Sequence, residues 1–200
     1  MKLYWCPRTR SFRALWMLEE AGVPYERQLI DIRKGDQNAP AYRAVNPMGK
    51  VPALVEGPAR IFESAAICAY VAERALDARL APPMGDPRRG RYLTWLFFAA
   101  ACMEDAFVEK IQGKGPFAPE RAGWGSFERV METLAGALGK GPWLLGEQFT
   151  AADVMVGANL LFGREILKIL PDEEPFAGYV ARCRARPGYR RAEEIEAAGI

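Results

Sequence analysis

The 200-residue chain contains no histidine. That excludes Ser-His and Cys-His catalytic pairs and the common zinc ligand sets. Its four cysteines, Cys6, Cys68, Cys102 and Cys183, stand far apart without Cys-x-x-Cys spacing, so no dithiol or thiolate metal cluster is expected. No apolar run reaches the length of a membrane span. The first residues, Met1-Lys2-Leu3-Tyr4-Trp5, offer no signal-peptide apolar region and cleavage site. Excess charge is scarce too. Lys and Arg number 27 against 25 Asp and Glu, a net +2, with no basic block of the kind that grips nucleic acid. The chain is 50% hydrophobic, which suits one medium domain or two small ones closely packed. The expectation is a soluble, cytoplasmic protein without metal, nucleic-acid or membrane partners.

Periodicity then orders the chain. Lys2 to Trp5 reads as a strand, and the turn Cys6-Pro7-Arg8-Thr9-Arg10-Ser11 leads into a helix from Ser11 to Ala21, stopped by Gly22. A second strand is expected near Tyr25 to Ile30, a loop over Arg33 to Asn38 and a short helix over Pro40 to Val45. Strands at Ala53–Val55 and Arg60–Phe62 form a hairpin, and a helix runs from about Glu63 to Leu76. This βαβ-then-ββα order is the thioredoxin-like arrangement, a mixed four-stranded sheet with helices on both faces. Proline and glycine between Leu80 and Asp86 mark a linker between residues 1–79 and 87–200. The second part reads as all-α: Arg88 to Ile111, about Pro119 to Leu138, Val154 to about Ile166, Glu173 to Arg186 and Pro187 to Ala197. Thr150-Ala151-Ala152-Asp153 fits a capping box, and Asp153 is assigned a structural role. The arginines at 182, 184, 186, 190 and 191, interspersed with glutamates, read as a solvated face.

The segment Asn46 to Ser64 carries the chemistry. Pro52 interrupts an apolar run from Val51 to Val55, and proline belongs at a strand's start or edge. A cis bond before Pro52 would leave the Val51 N–H and C=O free to pair with an extended peptide. Helix-start amides near Ser64 would hold a carboxylate, and Glu63 an amine. A small zwitterionic peptide suits this set. The plain structural alternative is that Pro52 begins a strand and Ser64 caps a helix.

At Asn46, Pro47, Gly49, Val51, Pro52, Leu54, Glu63 and Ser64 the sequence resembles the glutathione S-transferase family, with its N-P-x-G-x-V-P-x-L segment and following E-S pair. The resemblance extends over essentially the whole chain. It implies a cis Pro52, Val51 pairing with the cysteinyl part of glutathione, and Glu63 and Ser64 on its γ-glutamyl end. Lys50 sits where members often face the glycine carboxylate. The implied activity is conjugation of glutathione, the co-substrate, to a small apolar electrophile by a homodimer.

A free thiol titrates near 8.5, and lowering that by about two units takes roughly 2.7 kcal/mol of preference for the thiolate. A charge-assisted hydrogen bond supplies about 1.5–3 kcal/mol and a helix N-terminus about 0.3–1 kcal/mol. A hydroxyl at the first helix start therefore suffices. Three residues compete. Thr9 matches the catalytic serine of theta-like and delta-like members by its spacing to Pro7 and Arg13. Ser11 lies at the same helix end, with an N-cap as its structural alternative. Cys6 matches, by its distance to Arg13, the cysteine of omega-like thiol transferases, and its structural alternative is a small strand-end residue. The cysteine of beta-like members falls at Arg10, which excludes that mechanism; Arg10 would instead add positive field at the thiolate. The electrophile is expected in a groove between the halves, against Trp95, Phe98, Cys102, Met103 and Phe107, with Phe117 from the next loop. A non-catalytic binding protein on the same fold is the third reading, disfavoured by the retained Glu63-Ser64 pair.

Overall fold

In a computed structural model, which describes residues 1–113, 118, 120–170 and 172–199, Leu3 and Trp5 alternate into the core from strand β1, Lys2–Trp5. The helix that follows, α1 (Ser11–Ala21), buries Ala14 to Leu18 in a continuous run. It ends at Gly22, whose φ of 64° and N–H bond to the Leu18 carbonyl form a left-handed C-cap. Strand β2 (Glu26–Leu29) is short and polar, as befits an edge. After a 3₁₀ turn at Asp36–Asn38 and the short helix α2 (Pro40–Arg43), β3 (Ala53–Glu56) and β4 (Ala59–Phe62) make the hairpin. The sheet order is β2-β1-β3-β4, with β1 parallel to β2 and the other pairs antiparallel. Helix α3 (Ser64–Arg74) buries Ile67, Cys68 and Val71. This is the expected thioredoxin-like layer with its mixed four-stranded sheet.

The chain forms two compact units, Met1–Arg79 with Arg186–Ile200, and Leu80–Ala185. The last helix, which the sequence groups with everything past residue 86, thus belongs by its contacts with the sheet-bearing unit. Periodicity records that a helix has an apolar face, not which surface that face meets.

The second unit is helical: α4 (Arg89–Phe97), α5 (Glu104–Gln112), α6 (Phe127–Leu138), α7 (Ala151–Leu161) and α8 (Phe176–Ala185). The long helix expected over Arg88–Ile111 is continuous, but its middle, Phe98–Met103, is π-helical. Asn159, buried on α7, donates from Nδ2 to the Ala99 carbonyl at 2.7 Å, capturing one of the backbone acceptors that a π segment loosens. A second π segment, Phe162–Ile166, continues α7. There Gly163 lets two side chains approach closely: a Cβ would stand 2.7 Å from Leu170 Cδ1 and 3.0 Å from Phe107 Cε2, so one of them would have to shift.

The helix expected from about Pro119 begins only at Phe127. Gly125 takes a φ of 76°, and Ser126 caps the helix by accepting the Arg129 N–H at 3.2 Å. Pro119 itself lies outside the described residues. The capping box at Thr150 and Asp153 is present, and every residue of α7 is buried. The arginine-rich face is not simply solvated. Arg182 donates to the Pro142 carbonyl and Arg184 pairs with Glu165.

The final helix, α9 (Pro187–Ala198), lies against α1. Arg186 reaches Glu20 and Arg191 reaches Glu19.

Candidate functional site

Two backbone irregularities meet the chain's requirement for a ligand edge. The Val51–Pro52 bond is cis, and sheet pairing begins only at Ala53. Among the described residues the Val51 N–H and C=O take no partner. Just before it, the Lys50 carbonyl accepts from Tyr42 Oη at 2.5 Å and Asn46 Nδ2 at 2.7 Å, and Asn46 Oδ1 accepts the Met48 N–H. Burial pushes the Tyr42 phenol up to about 12, so it stays a neutral donor. These bonds hold the turn so that Val51 is presented rather than folded into the sheet. The Asn46 contact is readable from Asn-Pro-x-Gly as a side chain bonding its own backbone; the Tyr42 contact carries no sequence signal.

At the start of α3, Glu63 takes φ 69° and ψ 122° and supplies no side-chain cap. A non-glycine residue held there costs about 1–3 kcal/mol. The first intrahelical bond runs from Ile67 N–H to the Glu63 carbonyl. The N–H groups of Ser64, Ala65 and Ala66 therefore find no partner among the described residues. Ser64 is buried and Glu63 exposed. Three amide donors and one carboxylate thus stand within one short stretch, suited to an anion with an amine beside it.

The loop from Cys6 to Ser11 supplies the hydroxyls. Thr9 Oγ1 donates to the Cys6 carbonyl at 2.6 Å and accepts the Ser11 N–H at 3.1 Å; it also lies 3.0 Å from Ser11 Oγ. Ser11 Oγ in turn accepts the Cys6 N–H at 3.2 Å. Ser11 is fully buried and is the first helical residue, while Arg10 holds the N-cap position and makes no side-chain capping bond. The N-cap alternative for Ser11 therefore does not hold: its hydroxyl closes the loop instead. Thr9 is partly exposed, and a helix amide donating into its oxygen makes its O–H the stronger donor. Cys6 is 1% exposed. A mixed disulfide there would need access to its sulfur, which is buried in this conformation. Arg10 and Lys50 are exposed at the ends of their loops.

The residues expected to receive an electrophile divide. Trp95 packs edge-on to Phe98 with ring centroids 5.1 Å apart, and Phe98 and Cys102 are half-buried. Met103 and Phe107, at 0% and 3% exposure, belong to the core of the second unit; helical spacing cannot tell a core face from a pocket face. Burial and the Asp105 carboxylate raise the Cys102 thiol, which keeps it protonated. Phe117 lies outside the described residues. An open cavity of about 540 Å³ on α4 and α6 includes Trp95, but Arg91, Arg129, Glu132 and Lys140 give it a charged lining. Among the described residues, no group of three acidic, cysteine or histidine side chains could hold a metal, and no helix is long and apolar enough to cross a membrane.

Comparison with known proteins places the chain among relatives of one family. Residues 5–74 match the model of the glutathione S-transferase N-terminal domain, and residues 69–162 that of the C-terminal domain. The chain is 27% identical to glutathione S-transferase GstA of Escherichia coli O157:H7 over 98% of both proteins. It is 29% identical to the disulfide-bond oxidoreductase YfcG of Escherichia coli K12 over 76% of this chain and 75% of that one. A crystal structure of a glutathione transferase from Methylococcus capsulatus superposes with a TM-score of 0.82 at 30% identity, covering 98% of each chain.

Proposed function

Because the chain belongs to the glutathione S-transferase family, we propose that it binds glutathione, stabilises its thiolate with the Thr9 hydroxyl and conjugates it to a small apolar electrophile. Val51 pairs with the cysteinyl backbone, Ser64 and the α3 amides take the γ-glutamyl carboxylate, and Glu63 takes its amine. Lys50 faces the glycine carboxylate, and Arg10 adds positive field. The electrophile is received by the second unit near Phe98 and Cys102, and the working enzyme is a homodimer; a monomer's mass in light scattering would overturn that last point.

The observation that carries the reading is the Thr9 bond to the Cys6 carbonyl. The hydroxyl has one proton, and in the free protein a neutral acceptor holds it. A thiolate is the better acceptor, since charge-assisted bonds are roughly twice as strong. Turning the proton from Cys6 O to sulfur is favoured only when the thiol ionises. That difference depresses the thiol's pKa without any base, and the thiolate then attacks the electrophile by substitution or Michael addition.

The YfcG likeness favours a second reading, glutathione-dependent disulfide reduction. With Cys6 buried, two glutathione molecules rather than a protein thiol would carry it: the first thiolate attacks the disulfide and releases one thiol. The second then attacks the mixed disulfide, leaving oxidised glutathione and the second thiol.

Thiolate absorbance of bound glutathione, titrated in wild type, Thr9→Val and Cys6→Ala, tests both. Thr9→Val should raise the bound thiol's pKa by about two units and cut turnover about a hundredfold, while Cys6→Ala changes little. An unshifted pKa in Thr9→Val ends the assignment of Thr9, and a glutathione adduct on Cys6 by mass spectrometry would restore the thiol route.

A further inference from the structure

Helix α9 is fastened along α1 at several points. Glu20 accepts from Arg186 Nε at 2.9 Å and Nη2 at 2.7 Å, and from Trp16 Nε1 at 2.9 Å. The contact is close enough that a Cβ on Gly188 would stand 2.6 Å from Glu20 Cδ. Further along, Arg191 reaches the Glu19 carboxylate at 2.9 Å, and the Tyr189 ring stands edge-on to Phe12 and Trp16. Beyond these contacts the helix carries one more tie that fastens nothing in α1. Glu196 Oε1 accepts the backbone N–H of Arg8 at 2.8 Å.

Arg8 is the residue before Thr9, and it sits in the left-handed region at φ 59°. An L side chain there is unfavourable, so the turn is held by the contacts around it. Within the loop, the bonds of Cys6, Thr9 and Ser11 to one another fix the segment's two ends. The Arg8 amide between them is held by Glu196 alone among the described residues' hydrogen bonds.

We propose that Glu196 is a positioning residue: by accepting the Arg8 N–H it holds the left-handed turn that aims the Thr9 hydroxyl at the glutathione sulfur. This rests on the reading of Thr9 as the thiolate donor. The role belongs to the carboxylate's oxygen as an acceptor, not to its charge. A negative charge near the sulfur would oppose ionisation, so a purely electrostatic Glu196 predicts a lower thiol pKa in both Glu196→Ala and Glu196→Gln. Positioning predicts a higher one in alanine only, because the glutamine amide oxygen accepts the same N–H.

The experiment is the thiolate titration of bound glutathione in wild type, Thr9→Val, Glu196→Ala, Glu196→Gln and the double variant Arg8→Gly with Glu196→Ala, with glutathione affinity measured on each. Glu196→Ala should raise the bound thiol's pKa by about one unit and lower kcat about tenfold, with affinity within about twofold. Glu196→Gln should return both to near wild type. The double variant should recover part of the loss, because glycine adopts the left-handed turn without an anchor. A shift in Thr9→Val but none in Glu196→Ala overturns the positioning role and leaves Thr9 standing. A shift in neither removes the Thr9 reading and this proposal with it. A loss in Glu196→Ala that glutamine does not restore assigns Glu196 another role and overturns the proposal. If Glu196→Ala fails to fold, Glu196→Gln and Arg8→Gly on their own decide: positioning requires both to keep the thiol pKa within about half a unit of wild type.

Discussion

At the start of α7, Asp153 accepts from Thr150 N–H at 2.9 Å, Thr150 Oγ1 at 3.0 Å, Leu144 N–H at 2.8 Å and Tyr179 Oη at 2.8 Å, all out of contact with water. At the start of α3 the opposite holds: the Glu63 side chain caps nothing at a strained φ, and three amides find no partner among the described residues. Both are helix N-termini, with the same four orphan donors to satisfy. At α7 the Thr150 N–H goes to the Asp153 carboxylate, the Ala151 N–H to the Leu80 carbonyl and the Asp153 N–H to the Thr150 carbonyl, which stabilises the fold. The other leaves its first amides unsaturated among the described residues, which costs stability and leaves donors that a ligand could take. A helix end thus serves packing or recognition, and the cap decides which.

The comparison can be broken at either end. The largest effect is expected from Asp153→Ala, which strands four buried donors at about 1–3 kcal/mol each, a loss partly relaxed to a net of about 3–5 kcal/mol. At about 2–4 °C per kcal/mol for a chain of this size, thermal unfolding should fall by about 10 °C, with glutathione affinity of the folded fraction unchanged. A drop under about 2 °C would mean that the box is not the anchor its geometry describes.

Glu63→Gly should have the reverse character. Relief of the left-handed strain stabilises by about 1 kcal/mol, read as a rise of a few degrees, while loss of the carboxylate weakens glutathione binding about tenfold. Stability and binding moving in the same direction would refute the idea that this helix end is strained for its ligand.

The smallest effect is a pH dependence. Burial holds the Glu196 carboxyl above the ordinary carboxylate range; Arg8, through its amide and its charge, pulls it down, and Glu193 pushes it up. A carboxyl that binds its proton more tightly when folded contributes fully below its unfolded pKa, and the contribution fades as pH rises through the raised value. The melting temperature of Glu196→Gln relative to wild type should therefore improve as pH rises from about 4, the ordinary glutamate range. A difference that is flat, or that moves the other way, would remove burial as the cause.

Much of the site was legible because its determinants are local. A proline that cannot join a ladder, an Asn-Pro-x-Gly turn and a Thr-x-x-Asp box each act within a few residues, and all three stand where the sequence put them. What misled was one-dimensional by nature. Met103 and Phe107 share a helical face with Trp95, yet the face is core. The arginines at 186 and 191 resemble solvated charge, yet Glu20 and Glu19 hold them.

By itself, then, the sequence determined the order of elements, the sheet, the proline that breaks the ladder at position 52 and the capped start of α7, because sterics and hydrogen bonds between near neighbours suffice for these. Only the tertiary structure decided that Cys6 is sealed from solvent, that Ser11 closes the loop rather than capping the helix, and that α9 returns to α1. It alone brought Glu196 to the amide of Arg8, 188 residues away along the chain. Such a contact costs loop closure that no local pattern records, and the burial of α9's face on α1 is what offsets it.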